Sequence, residues 1–217
     1  MSFFQRLVSD THAAQQQFQL RNIILRAQQG DVSLALYLNF LEQAYHHVKH
    51  TVPLLMACGS RLPVKYQWLQ QAVAEYIEEE IGHEQWILND ISAAGGDADA
   101  VAASRPHAAT ELLVSYAYHQ IDRGNPLAFF GMVHVLEGTS TQLASAVAEV
   151  VQGRLGLPDS AFSYLRSHGA LDLEHVKFFE SLMNRIEDVT DQADIIHATG
   201  LFYGLYGDVL SAAEEGC

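Results

Sequence analysis

Three short segments of this sequence combine histidine with carboxylate side chains at spacings that a helix can use. The first reads EEEIGH at residues 78–83, the second reads HVLE at residues 134–137, and the third is His168-x3-Asp172-x2-His175. The chain has 11 histidines in 217 residues, which is many for this length. The useful question is therefore which histidines share a helix face with a carboxylate.

The third segment has the most informative spacing. An α-helix turns about 100° per residue, so residues at i, i+4 and i+7 fall within about 60° of one another. His168, Asp172 and His175 have this spacing. Glu80 and His83, at i and i+3, are also predicted to share a face, and Glu137 adds a carboxylate from another helix.

The residue types in these segments suit a pair of metal ions. Helical bundles build di-iron and di-manganese sites from Glu and Glu-x-x-His elements that project inward from several helices. Three imidazoles and three carboxylates can hold two such ions and leave positions open for oxygen, and iron suits this mixed ligation. Zinc would suit four ligands, and magnesium would suit fewer histidines. The candidate ligands are Glu80, His83, Glu137, His168, Asp172 and His175.

Simpler explanations exist for each segment taken alone. A run such as EEEIGHE is normally a solvated helix face. Glu137 is more telling, because it follows the apolar run 129–136, where a charge is costly unless it is paired or metal-bound.

Glycine and proline divide the chain into about seven predicted helices, with no convincing strand pattern. The first runs from Phe3 to Gln29. Asp31 is predicted to cap the second, which passes through Val48, and Pro63 opens a third that ends at Gly95. The others are predicted over residues 107–123, 126–152, 159–188 and 190–213, separated by loops. This pattern indicates one all-α domain over residues 1–217, a helical bundle.

Composition excludes several functional classes. The net charge of −14 makes nucleic acid and anionic membrane surfaces poor partners, since both require basic patches. The two cysteines, Cys58 and Cys217, give neither a disulfide framework nor a metal-binding CxxC pair. No stretch resembles a signal peptide or a membrane span. We therefore expect a protein of the reducing cytoplasm.

With these motifs in this order, the sequence resembles the heme-oxygenase-like di-iron oxidases and oxygenases. That fold group includes thiaminase II, the pyrroloquinoline-quinone synthase fold and the chlamydial protein associating with death domains. The segment from Tyr37 to Pro53, with its YHHVKH core, is similar to the early helix of the group. The family's ligand order is Glu, His, a distant Glu, and His-x3-Asp/Glu-x2-His. Here this order falls on Glu80, His83, Glu137, His168, Asp172 and His175. The distance from the first Glu to the following His varies among such proteins, so Glu79 competes with Glu80. Tyr76 occupies the position, seven residues before His83, that some relatives use for this carboxylate.

The resemblance implies a cofactor of two Fe ions, O2 as co-substrate, and oxidation of a small organic substrate. That substrate would be amino-acid-like, amine-like or fatty-acid-like. A homodimer is compatible with this fold. A thiaminase II would place a nucleophilic cysteine near Glu137, and a heme oxygenase would use an N-terminal histidine such as His12. Two alternatives stay open: a metal-free enzyme of the same fold, and a non-catalytic metal-binding helical module.

Several other histidines merit attention. His134 shares a predicted face with Glu137, so it is either a contact of the site or a core histidine. His46 and His50, at i and i+4, could bind a metal, but the resemblance favours a role in lining or supporting the cavity.

Overall fold

We analysed a computed structural model, which describes residues 1–214 except for the side chains of residues 168–175. The described chain forms eleven α-helices and no strand. Their bounds are α1 Phe3–Gln19, α2 Asn22–Gln28, α3 Leu34–Val48, α4 Thr51–Arg61, α5 Gln67–Glu80, α6 His83–Ala93, α7 Ala98–Ala103, α8 Ala108–Arg123, α9 Phe129–Leu155, α10 Ser163–Met183 and α11 Val189–Ala212.

Short polar side chains begin several of these helices. Ser2 forms a capping box with Gln5 at the start of α1. Ser33, Asp97 and Asp188 accept backbone hydrogen bonds at the starts of α3, α7 and α11. Such caps satisfy N–H groups that have no partner within the helix.

The all-α prediction is confirmed, but the helix count of about seven was too low. The predicted first helix is interrupted at Leu20 and Arg21, where the backbone of Arg21 is extended. The second helix is capped by Ser33 rather than by the predicted Asp31. The segment 98–103, predicted as loop, is the short helix α7. These breaks are local capping events that leave the apolar periodicity almost unchanged.

The predicted third helix is also divided, and this correction bears on the site. α5 ends at Glu80 and α6 begins at His83. Between them Ile81 is extended and Gly82 has a φ of 92°. Glycine lacks a Cβ and adopts this left-handed conformation at little cost. Glu80 and His83 are therefore on different helices.

Helix α9 lies at the centre of the bundle, between α10 and α11. Gly131 of α9 lies close to Thr199 of α11: a Cβ at Gly131 would come within 2.8 Å of the backbone nitrogen of Thr199. Phe130, Phe179 and Phe202 bring α9, α10 and α11 into one core. The central helices are thus held in a fixed register by close packing.

A second buried cluster joins the other half of the molecule. Tyr37, Ile87 and Phe162 pack together with the apolar face of α9. Asp90 of α6 lies within this region and accepts hydrogen bonds from the start of α10. No helix among the described residues is both long enough and apolar enough to cross a membrane.

Candidate metal centre

Two of the candidate carboxylates line one cavity inside the bundle. Glu80 comes from the last residue of α5, and Glu137 comes from the middle of α9. The cavity, here called the carboxylate cavity, has a volume of about 90 Å³. Its other polar lining side chains are His47, Thr51, Tyr76, Ser140, Tyr164 and Tyr206. The fold thus brings together two carboxylates that are 57 positions apart in the chain.

His83 is joined to this pair through Glu80. The Nδ1 of His83 lies 3.0 Å from Oε2 of Glu80, and the imidazole is buried against the ring of Trp86. A carboxylate is only an acceptor, so His83 Nδ1–H donates this hydrogen bond. The prediction that the two residues share one helix face was wrong. They meet instead because the chain turns at Ile81 and Gly82.

The structure distinguishes the two competing glutamates by exposure. Glu79 is exposed, whereas the side chain of Glu80 is only 18% exposed and lines the cavity. The break after Glu80 does not change this difference, since both residues lie in the last turn of α5. Glu80 is therefore better placed than Glu79 to act with Glu137.

Tyr76 lies one turn before Glu80 and lines the same cavity. Its hydroxyl is buried and has no hydrogen-bond partner among the described residues. Burial raises the pKa of Tyr76 well above its usual value, and the charges of Glu137, Glu79 and Glu80 raise that pKa further. The negative potential of the carboxylates therefore extends to this phenol.

The third segment lies outside the described side chains, so the positions of the His168, Asp172 and His175 side chains are not given. The backbone of α10 continues through these residues. Residues on both sides of them adjoin Glu137: Tyr164 lines the carboxylate cavity, and Val176 lines a neighbouring cavity of about 260 Å³ that also contains Glu137. Helix α10 thus runs past Glu137 over the length of the predicted motif.

Among the described side chains there is no group of three or more histidine, cysteine, aspartate or glutamate residues arranged to hold a metal ion. Glu80, His83 and Glu137 are three of the six predicted ligands, and the other three belong to the segment 168–175. The described part of the centre is therefore half of the predicted donor set.

His134 lies beside the site in an aromatic environment. Its ring stacks on Phe179 and meets Phe4 edge-on, and it lines the cavity on the α1 side together with Glu137. Burial lowers the pKa of His134 to about 4. The imidazole is consequently neutral near pH 7.

His46 and His50 do not share a site. Nε2 of His46 lies 2.8 Å from Oγ of Ser104 and its Nδ1 lies 3.0 Å from Lys49 Nζ. His50 instead contacts the hydroxyl of Tyr118. The idea that this pair binds a metal is not supported by these contacts. The neighbouring His47 is the member of this segment that lines the carboxylate cavity.

Sequence reasoning overlooked three hydroxyl groups of the cavity wall, those of Ser140, Tyr164 and Tyr206. For two of them, the spacing along the helix could have indicated a place beside the site. Ser140 is at i+3 from Glu137 and Tyr164 is at i−4 from His168, so each shares a helix face with a candidate ligand. Tyr206 is buried in the core, and no spacing along its own helix links it to a candidate ligand.

Comparisons with known proteins agree with this fold. The family model described as iron-containing redox enzyme matches residues 38–207. A domain of unknown function with a heme-oxygenase-like fold from Shewanella denitrificans is 23% identical, with a TM-score of 0.83, over 98% of this chain and 90% of that one. A search of curated proteins gave no match.

Two further solved structures show the range of this fold. A TenA homologue from Pseudomonas syringae pv. tomato has a TM-score of 0.83 at 12% identity, covering 98% of this chain and 93% of its own. Heme oxygenase-1 from the cyanobacterium Synechocystis, solved with heme, has a TM-score of 0.79 at 10% identity over 100% and 94% of the two chains. At such identities the similarity is one of fold.

Proposed function

Because this chain belongs to the family of iron-containing redox enzymes, we propose that it is an O2-dependent, non-heme di-iron oxidase or oxygenase of a small organic substrate. The observation that carries the proposal is the cavity shared by Glu80 and Glu137. Two carboxylates from different helices, directed into one interior space, are typical of di-iron sites in helical bundles.

The described residues fit a pair of iron ions. Two carboxylates line the cavity, and the buried imidazole of His83 is hydrogen-bonded to one of them. Carboxylate and imidazole together are the mixed ligation that iron accepts. The carboxylate charges that raise the pKa of Tyr76 are negative, and bound cations would neutralise them. In this proposal Glu80, His83, Glu137, His168, Asp172 and His175 hold the metal.

A pair of ferrous ions in this site would supply the electrons that reduce O2 and so provide the oxidising power for the substrate. The protein residues have other tasks. The hydrogen bond to Glu80 keeps the proton of neutral His83 on Nδ1, so Nε2 carries the lone pair. The apolar walls formed by Leu54, Leu55 and Met132 limit the access of water to the cavity.

The non-heme form of the proposal is favoured by the location of His12. A heme oxygenase of this fold would use an N-terminal histidine as axial ligand, and His12 is exposed on α1. The carboxylate cavity instead has no histidine from α1 among its lining residues. The cytoplasmic location expected from the sequence and the homodimer compatible with this fold stay predictions.

Anaerobic loading with Fe(II), followed by metal analysis and O2-uptake measurements, tests the proposal. We expect two irons per chain and ferrous-dependent O2 consumption in the unaltered protein. Glu137→Ala should lose both. Glu149→Ala is the matched control, because Glu149 lies on the same helix and is exposed, and it should retain both.

The alternatives predict different results. A metal-free enzyme or a non-catalytic module would bind sub-stoichiometric iron and consume no O2 after loading. Retention of two irons by a folded Glu137→Ala variant would remove Glu137 from the centre and overturn the proposed ligand set.

A further inference from the structure

A second cavity, of about 130 Å³, adjoins the carboxylate cavity and is here called the tail cavity. The two share three lining residues, Ser140, Tyr164 and Tyr206. The tail cavity is enclosed by α2, α3, α9, α10 and α11. Its lining residues are Ile23, Ile24, Ala27, Val32, Leu36, Tyr37, Phe40, Thr139, Ser140, Leu143, Ala144, Val147, Val151, Tyr164, Leu165, Tyr206, Leu210 and Ala213.

The lining of the tail cavity is chemically uniform. Among the described side chains that line it none is charged, and their only polar groups are hydroxyls. Two of these hydroxyls are engaged by the protein itself: Tyr37 donates to the carbonyl of Ala161 at 2.6 Å, and Ser140 donates to the carbonyl of Leu136 at 2.9 Å. The wall therefore favours an apolar occupant, because a polar one would lose hydrogen bonds to water without replacement.

Polarity changes along the cavity in one direction. Three of the hydroxyl residues, Ser140, Tyr164 and Tyr206, lie at the junction with the carboxylate cavity. Away from the junction the wall is formed by aliphatic side chains such as Leu143, Val147 and Val151. A molecule that matches both regions has one polar end and one apolar end.

Helix α9 also indicates the length of the space. Its lining residues run from Thr139 to Val151, a rise of about 18 Å at 1.5 Å per residue. Glu137 lies two residues before this run on the same helix. The tail cavity thus extends along α9 directly from the candidate metal centre.

From this arrangement we infer that the substrate carries a straight alkyl chain, which fills the tail cavity while its polar end lies among Glu80, Glu137 and the junction hydroxyls. The reaction assigned to this substrate rests on the proposed function, whereas the binding of the chain does not. Among the three substrate types expected from the sequence, the geometry selects the chain-like ones. A small amino acid would leave the tail cavity unfilled.

Binding to the metal-free protein tests this inference. Straight-chain alkylamines and alkyl carboxylates, from hexyl to hexadecyl, are titrated calorimetrically below their critical micelle concentrations. Each methylene that enters the cavity should tighten binding about three- to fourfold, until the cavity is full and the gain stops. The two series show how the charge of the head group affects binding beside Glu80 and Glu137. Binding that does not depend on chain length in either series would overturn the inference.

A substitution that fills part of the tail cavity provides a second test. Ala144→Phe places a ring in the tail cavity. The chain length beyond which further methylenes no longer tighten binding should then be shorter, and the affinity for the hexyl probes should be unchanged. Ala146→Phe is the matched control, since Ala146 lies on the same helix but is exposed, and it should behave like the unaltered protein. If affinity stops increasing at the same chain length in a folded Ala144→Phe variant as in the unaltered protein, the inference is contradicted.

Ala144 is itself part of the buried core, so a thermal melt accompanies the titration. Should Ala144→Phe not fold, Val147→Phe decides the question, because Val147 lines the same cavity and is only half-buried. Failure of the proposed function is distinguishable from failure of this inference. If binding depends on chain length but the protein fails to take up iron in the loading experiment, only the proposed function is contradicted. If the protein takes up iron but its binding does not depend on chain length, only this inference is contradicted.

Discussion

The Oδ2 atom of Asp90 accepts a hydrogen bond of 2.9 Å from the backbone N–H of Tyr164, the second residue of α10. Its Oδ1 atom accepts one of 3.1 Å from the N–H of Ser163. Asp90 belongs to α6 and is fully buried. A carboxylate from another helix thus caps α10 and also offsets the positive end of its dipole. α10 carries the His168-x3-Asp172-x2-His175 motif.

Replacing Asp90 by alanine should therefore weaken both the fold and the proposed metal centre. We expect the free energy of unfolding to fall by about 3 kcal/mol, since the buried N–H of Tyr164 and the half-buried N–H of Ser163 lose the carboxylate that accepts their hydrogen bonds. Iron occupancy should fall as well, because the start of α10 is no longer fixed to α6. Urea titration and metal analysis measure the two effects. Asp99→Ala, at an exposed position, should change neither.

Gly82 allows a second prediction about the site. Its φ of 92° would strain any residue with a Cβ, although no atom lies within 4 Å of the added carbon. Gly82→Ala should therefore destabilise the protein by about 1–2 kcal/mol and disturb the contact between Glu80 and His83. Equilibrium unfolding and Fe(II) affinity are the measurements.

The control for Gly82 is Gly153, an exposed glycine inside α9 that also has open space around it. Gly153→Ala should stabilise the protein by up to about 1 kcal/mol, because alanine is the better helix former. Equal effects of the two substitutions would mean that the left-handed turn is not required.

The close approach of α9 to α11 gives a third prediction. A Cβ at Gly131 would lie 2.8 Å from the nitrogen and from Oγ1 of Thr199, so Gly131→Ala should cost about 2 kcal/mol through overpacking. Gly200→Ala, one residue beyond Thr199 and with nothing within 4 Å, should cost nothing. Thermal melts of the two variants make the comparison.

The buried His46 predicts a pH dependence of stability. Burial, followed by the charge of Lys49, lowers the pKa of His46 from 6.5 to about 4. The unfolded chain therefore binds a proton more readily than the folded one between these values. The contribution is fully present above pH 6.5 and is lost as the pH falls toward 4.

Urea titrations at pH 7 and pH 4.5 give a difference in stability to which His46 should contribute on the order of 2 kcal/mol. His134, whose pKa is also lowered to about 4, contributes to the same difference. His46→Gln should reduce the difference between the two pH values. His12→Gln, at an exposed position, should leave the difference as it is in the unaltered protein. A His46→Gln variant with the full difference would show that other groups cause it.

The sequence predicted the all-α class because apolar periodicity extends over every long helix. It also singled out Glu137, since a charge in the apolar run before it is costly without a compensating group. The helix breaks at Arg21 and Gly82 escaped prediction. Each depends on a local backbone conformation that a single residue can adopt or avoid, and the periodicity on either side conceals it.

The site was predicted only in part, for a related reason. Spacing within one helix can indicate shared faces, as it does for Ser140 and Glu137. It cannot indicate which faces of different helices meet. The junction of α9 with α11 at Tyr206, and with α3 at His47, depends on tertiary packing. The tail cavity could therefore not be derived from the motifs.

Helix α9 supplies both Glu137 and much of the wall of the tail cavity. For the substrate proposed above, the carbon atom that reaches the proposed metal centre would depend on how many residues separate Glu137 from the far end of the wall. Inserting one residue after Glu137 would turn that wall by about 100°. In the proposed complex, regioselectivity would accordingly depend on the register of a single helix.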